Sequence, residues 1–178
     1  MKLFIASDIH GSAYYARLMA DRFKAEEADR LVLLGDILYH GPRNDLPREY
    51  DPKAVIETLN GIKNKIIAVK GNCESEVDSM VLGFNVESPF ATIITDKRTI
   101  LLTHGHRETP PMEGFDLLFF GHTHVPALEK RDGYIYVNPG SVSIPKEASP
   151  HSYMTFDGKT LRWYDLNTVE CYMDYKLK

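Results

Sequence analysis

The run Leu3-Phe4-Ile5-Ala6-Ser7-Asp8-Ile9-His10-Gly11 sets the architecture of this 178-residue chain. Its first four residues read as a short buried strand, and Asp8-Ile9-His10-Gly11 reads as the turn that ends it. The same unit recurs twice. Leu31-Val32-Leu33-Leu34 ends at Gly35-Asp36, and Ile66-Ile67-Ala68-Val69 ends at Gly71-Asn72. Between the first two strands, Ser12 is placed to cap a helix running to about Ala28, with Ala16, Met19 and Phe23 on one face. Between the second and third, Asp51-Pro52 opens a helix carrying Val55, Ile56 and Leu59. The loop His40-Gly41-Pro42-Arg43-Asn44-Asp45-Leu46-Pro47 is too rich in glycine and proline for regular structure. Strand and helix alternate over the first seventy residues, as in βαβ units with a parallel sheet.

The later half is built differently. Ala91–Thr95 and Thr99–Thr103 flank Asp96-Lys97-Arg98 like a hairpin, and the second arm ends at His104-Gly105-His106. Leu117–Phe120 ends at Gly121-His122-Thr123-His124. Arg131-Asp132-Gly133 and Asp157-Gly158-Lys159 are turn signals within two more strand pairs, and a last strand is expected over Val169–Tyr175. No linker or repeat divides the chain, so one domain is expected.

Composition narrows the function. Hydrophobic residues make up 43% and charged residues 26%, a globular balance. The net charge of −4 argues against a general grip on long nucleic acid. Leu3–Ala6 is too short for a leader's apolar core, and no apolar run approaches membrane-spanning length. Two cysteines, Cys73 and Cys171, cannot build a disulfide framework or a four-cysteine zinc site, and they fit a cytoplasmic protein.

Seven histidines are the unusual feature, and their placement matters more than their number. Five strands each end at a small-residue turn with candidate metal-ligating side chains: Asp8 and His10, then Asp36, Asn72, His104 with His106 as a further candidate, and His122 with His124. Carboxyl ends of strands in open α/β sheets lie along one edge, so these residues are expected to converge there. A mixed set of carboxylate, amide and imidazole suits Mn²⁺, Fe or Zn²⁺ better than Ca²⁺ or Mg²⁺.

From residue 2 to about residue 160 the chain resembles the calcineurin-like metallophosphoesterases, and within them the small bacterial YfcE-type phosphodiesterases. The motifs that carry the resemblance are Asp8-Ile9-His10, Gly35-Asp36, Gly71-Asn72-Cys73-Glu74, His104-Gly105-His106 and Gly121-His122-Thr123-His124. Asn138-Pro139-Gly140-Ser141 and the loop from His40 to Asn44 also match that subgroup. The resemblance implies an α/β fold over residues 1–178, a two-sheet β-sandwich flanked by helices (αββα). It implies two divalent ions, manganese first, with zinc, iron or nickel as alternatives. One ion would be held by Asp8, His10, Asp36 and His124. The other would be held by Asp36, Asn72, His104 and His122. A hydroxide bridging the two would attack a phosphodiester.

At one position the chain departs from the wider family, which usually has histidine after the Gly-Asn pair, thought to protonate the leaving oxygen. Here it is Cys73, and a thiol of pKa roughly 8.5 is the poorer acid near neutrality. His106 and water are the remaining candidates for that proton. Arg43 and Asn44 are read as substrate contacts or as a solvated loop, and His40 and His151 as loop residues without catalytic work. The expected partner is a small phosphodiester, with no membrane, no long nucleic acid and room for a homo-oligomer. Two alternatives stand beside this reading: a phosphomonoesterase, or a protein-binding scaffold of the same fold. A scaffold has no physical need for the ligand set, and all seven positions carry it.

Overall fold

Phe4 and Ala6 face one hydrophobic cluster while Leu3 and Ile5 face another, and this division organises the molecule. The computed structural model describes residues 1–178. The first sheet contains β1 (Leu3–Ala6), β2 (Arg30–Leu33), β3 (Ile66–Ala68), β9 (Ser152–Phe156), β10 (Thr160–Asp165) and β11 (Cys171–Lys176). Its order is β11-β10-β9-β1-β2-β3. Strands β1, β2 and β3 run parallel, while β9 lies antiparallel against β1. The second sheet contains β4 (Phe90–Ile94), β5 (Thr99–Thr103), β6 (Leu117–Phe119), β7 (Ala127–Arg131) and β8 (Tyr134–Asn138). Its order is β4-β5-β6-β8-β7, with β5, β6 and β8 parallel and both edges antiparallel.

One core lies between the sheets. Leu3, Ile5, Val32 and Leu34 meet Ile100, Leu102, Leu117, Phe119 and Val137 there. The other core lies on the far face of the first sheet. Phe4, Leu31 and Leu33 pack there against Met19 and Phe23 of α1 (Ala13–Ala25) and Val55 and Leu59 of α2 (Pro52–Asn60). Burial on both faces explains why β1 and β2 read as unbroken apolar runs rather than alternating ones. Each fully buried Leu, Ile or Phe contributes roughly 1.5–3 kcal/mol.

The sandwich of two mixed sheets with flanking helices is as expected, and the differences are local. Helix α1 starts where Ser12 caps it but stops at Ala25, not Ala28. The Lys2 ammonium donates to Glu26 O at 2.7 Å, and Glu27 then takes a left-handed φ of 49°. A short helix α3 (Asp78–Val81) follows the Gly71–Glu74 turn. Strand β6 has no hairpin partner; it lies parallel between β5 and β8. No helix is long and apolar enough to cross a membrane.

Candidate metal centre

The parallel strands β1, β2 and β3 of one sheet and β5 and β6 of the other end at the same edge, so their turns meet. Those turns are not relaxed. Asp8, His10, Asp36, His122 and His124 all adopt left-handed φ, between 49° and 67°. Non-glycine residues rarely do so, at roughly 1 kcal/mol or more each. Backbone bonds hold the strained turns together. His10 N–H donates to Asp36 O at 2.9 Å, and Gly11 N–H donates to Ile37 O at 2.8 Å. Two turns also require glycine for close approach: a Cβ at Gly71 would collide with Asp36 Oδ1, and one at Gly121 with Ser7 Oγ.

The side chains converge in two subsets. In one, His124 Nε2 and His10 Nε2 lie 3.3 and 3.6 Å from Asp8 Oδ1. In the other, His104 Nε2 lies 3.1 Å from Asn72 Oδ1, 3.2 Å from His122 Nδ1 and 3.4 Å from Asp36 Oδ2. Asp36 Oδ2 is also 3.8 Å from His10 Nε2, so Asp36 stands between the subsets. All seven expected ligands are therefore brought together.

Hydrogen bonding tests whether the pocket suits a cation. His10, His104 and His124 each direct Nδ1 at a backbone carbonyl, of Tyr39 (2.8 Å), Leu34 (2.6 Å) and Ile144 (2.5 Å). A carbonyl only accepts, so each Nδ1 carries a proton, and Nε2 of each ring in its neutral form turns a lone pair inward. His10 Nε2 and His124 Nε2 then face each other at 3.2 Å, and Asp8 Oδ1 is buried with no hydrogen-bond partner. Acceptors crowded this way need positive charge among them. The residues fit a divalent ion.

The electrostatics say the same. Burial disfavours a charged His104, yet Asp36 and Asp8 outweigh it and push the ring up to about 9. His10 is also raised against its burial, by Asp8 and Asp36. Burial would raise Asp8, but the rings of His10, His124 and His104, whose protonated forms its charge favours, hold it far below the usual carboxylate range. A proton and a metal ion compete for this same field.

Other side chains keep the centre in shape. Glu74 accepts backbone N–H groups from Asp36 (3.0 Å), Ile37 (2.6 Å) and Gly71, fixing the ends of β2 and β3 to each other. Ser141 and Ser143 hydroxyls donate to Asp8 O at 2.9 and 3.1 Å. Asn138 donates to Gly121 O at 2.8 Å, holding the turn that carries His122. The sequence reads Asn138-Pro139-Gly140-Ser141 as a fixed turn shaping the rim of the site, but gives Glu74 and Ser143 no task there. Glu74 was the more accessible of the two, because it lies inside a quoted motif.

The remaining expected residues divide. Cys73, Arg43 and Asn44 line a cavity of about 520 Å³ over the centre, with Lys146, which the sequence reading did not single out. Burial and the nearby Asp36 push the Cys73 thiol up, so it keeps its proton at neutral pH. Asn44 spends its amide N–H on His40 O at 2.8 Å. His106 lies beside His104 with its ring tilted 59° to it, centroids 5.3 Å apart, and is not among the cavity's lining residues. Its Nε2 accepts from Arg107 Nε at 3.1 Å, and burial with the charges of His104 and Arg107 lowers its pKa. His151 is structural: its Nδ1 donates to Val142 O at 2.9 Å and its Nε2 accepts the Tyr15 hydroxyl at 2.8 Å.

Comparison with known proteins places the chain in a family. The chain is 46% identical to phosphodiesterase YfcE of Escherichia coli over 171 residues, covering 94% of this chain and 93% of the relative. The solved structure of the E. coli phosphoesterase YfcE superposes with a TM-score of 0.95 at 43% identity over 100% of both chains. Vps29 of Entamoeba histolytica superposes with a TM-score of 0.67 at 20% identity over 100% of both chains, a likeness of fold alone. Residues 1–161 match the family model of the calcineurin-like phosphoesterase superfamily domain. Motif order, sandwich and converging ligands thus have one explanation: the chain belongs to the calcineurin-like phosphoesterase superfamily.

Proposed function

We propose that this chain is a metal-dependent phosphodiesterase acting on a small diester, working as one domain over residues 1–178. The observation that carries this reading is the inward-facing set of lone pairs around the unpartnered Asp8 Oδ1. One ion would be held by Asp8, His10, Asp36 and His124, and a second by Asp36, Asn72, His104 and His122. Divalent ions held there would supply the positive charge that eases ionisation of a water and offsets charge on the phosphoryl oxygens.

The chain's own groups do the rest. Asp36, between the subsets, is the one carboxylate able to serve both. Glu74, Ser141 and Ser143 keep the strained turns from relaxing, so the ligands need no reorganisation on binding. Arg43, free on the cavity wall, is placed to take a phosphate oxygen. Cys73 holds a proton but releases it poorly, and His106 is turned to Arg107, so the leaving oxygen departs without a strong side-chain acid. Good leaving groups follow from that. The nitrogen-rich donor set favours manganese, zinc or iron over calcium. Two free cysteines, one exposed, fit a reducing cytoplasm.

The alternative is a protein-binding scaffold of the same fold, but five ligand residues in left-handed conformation are costly to keep without a ligand. The test is a panel of phosphate mono- and diesters on chelator-stripped protein reloaded separately with Mn²⁺, Mg²⁺, Zn²⁺ and Fe²⁺. Diester turnover that needs metal is expected. Metal-independent turnover refutes the mechanism, and no turnover with any ion favours the scaffold.

A further inference from the structure

The cavity wall carries more positive charge than one diester needs. Arg43 and Lys146 both line it, and neither forms an ion pair. Each sits on a turn fixed to the metal centre. Asn44 N–H donates to Gly41 O at 3.2 Å, and Gly41 packs so close to Cys73 that a Cβ there would stand 3.3 Å from its Sγ. Lys146 N–H donates to His124 O at 3.2 Å, and Lys146 O accepts the Ser149 N–H and hydroxyl at 3.0 and 2.6 Å. The two backbones are anchored while the two cationic heads stay free.

A charge count, which rests on the reading given under Proposed function, shows the surplus. Two dications are balanced by Asp8, Asp36, the attacking hydroxide and one diester anion. Arg43 and Lys146 are then left over, and Asp36 is the only carboxylate on the wall. With Arg43 placed beside the scissile phosphate, the Lys146 charge has no partner. The wall also has no Leu, Ile, Val or Met and no aromatic ring besides histidine. An acyl chain or a stacked base finds nothing to pack against there.

We infer that the substrate is a phosphodiester with a second anionic group, carboxylate or phosphate, on one alcohol arm, and that Lys146 is the specificity residue that reads it. The test is calorimetric binding of two non-hydrolysable probes to the manganese-loaded protein. Methylpropylphosphinate carries one negative charge at phosphorus, as a diester does, and has a neutral arm; 3-(methylphosphinyl)propionate is similar in size and ends in a carboxylate. Wild type is expected to bind the carboxylate probe about tenfold tighter, the size of one charge-assisted contact. Lys146→Met should bring the ratio near one, and Lys146→Arg should keep it. Equal affinities in wild type, no binding of the carboxylate probe, or a ratio that survives Lys146→Met would overturn the inference. Turnover is not involved, so a chain that shows the preference yet cleaves no diester contradicts the proposed function alone.

Discussion

Glu74 shows at the residue scale how one buried carboxylate shapes a metal centre that it does not enter. It is 8% exposed, and its oxygens take up three backbone N–H groups on two strand ends. Glu74→Gln keeps the shape but turns a donor toward those donors. We expect manganese affinity to fall about 10–100-fold by calorimetry, with the fold retained by circular dichroism. Unchanged affinity would remove Glu74 from the account. Cys73 gives a second prediction. With no strong acid at the leaving oxygen, aryl diesters should be hydrolysed far faster than alkyl ones, and Cys73→Ser should leave that ratio in place. Equal rates on both would show that an efficient acid is present. The ligands themselves were legible in the sequence because they lie in short turns that close apolar runs, each turn containing a glycine. Lys146 was not, because its turn has no such signature and reaches the cavity only through the fold.

At the scale of elements, turns rather than strands carry the chemistry, and the strands fix where the turns meet. Gly71 and Gly121 mark the closest approaches. Gly71→Ala forces a Cβ into Asp36, so we expect metal binding and activity to be lost together while far-ultraviolet circular dichroism stays near wild type. Strands β1, β2 and β3 were readable because helices separate them, and alternation of strand and helix is a sequence-level pattern. Strand β6 was placed in sequence but not in topology. The segment from His104 to Asp116 that joins it to β5 contains no helix, so nothing local announces that the two run parallel. The return of β9 to β1 was hidden for a related reason: Leu3 pairs with Phe156 across nearly the whole chain.

Across the whole molecule, the core between the sheets is continuous with the support of the site. Trp163, fully buried, donates to Asn138 O at 2.7 Å, and Asn138 in turn holds the His122 turn. Stability and metal binding are therefore coupled through pH. His104 is pushed from 6.5 up to about 9 in the metal-free fold, so its protonation stabilises that fold fully below 6.5. That contribution disappears as pH rises through about 9. Metal-free protein should therefore lose thermal stability between those values, and metal-loaded protein, whose rings hold ions instead of protons, should lose less. Parallel melting curves would contradict this.

The most direct test of the central claim is a calorimetric titration of chelator-stripped protein with Mn²⁺, alongside Asp36→Asn. Two ions per chain are predicted for wild type, with loss of at least one when Asp36 can no longer serve both subsets. Binding of fewer than two ions by wild type, or two by Asp36→Asn at wild-type affinity, would contradict a centre built around Asp36.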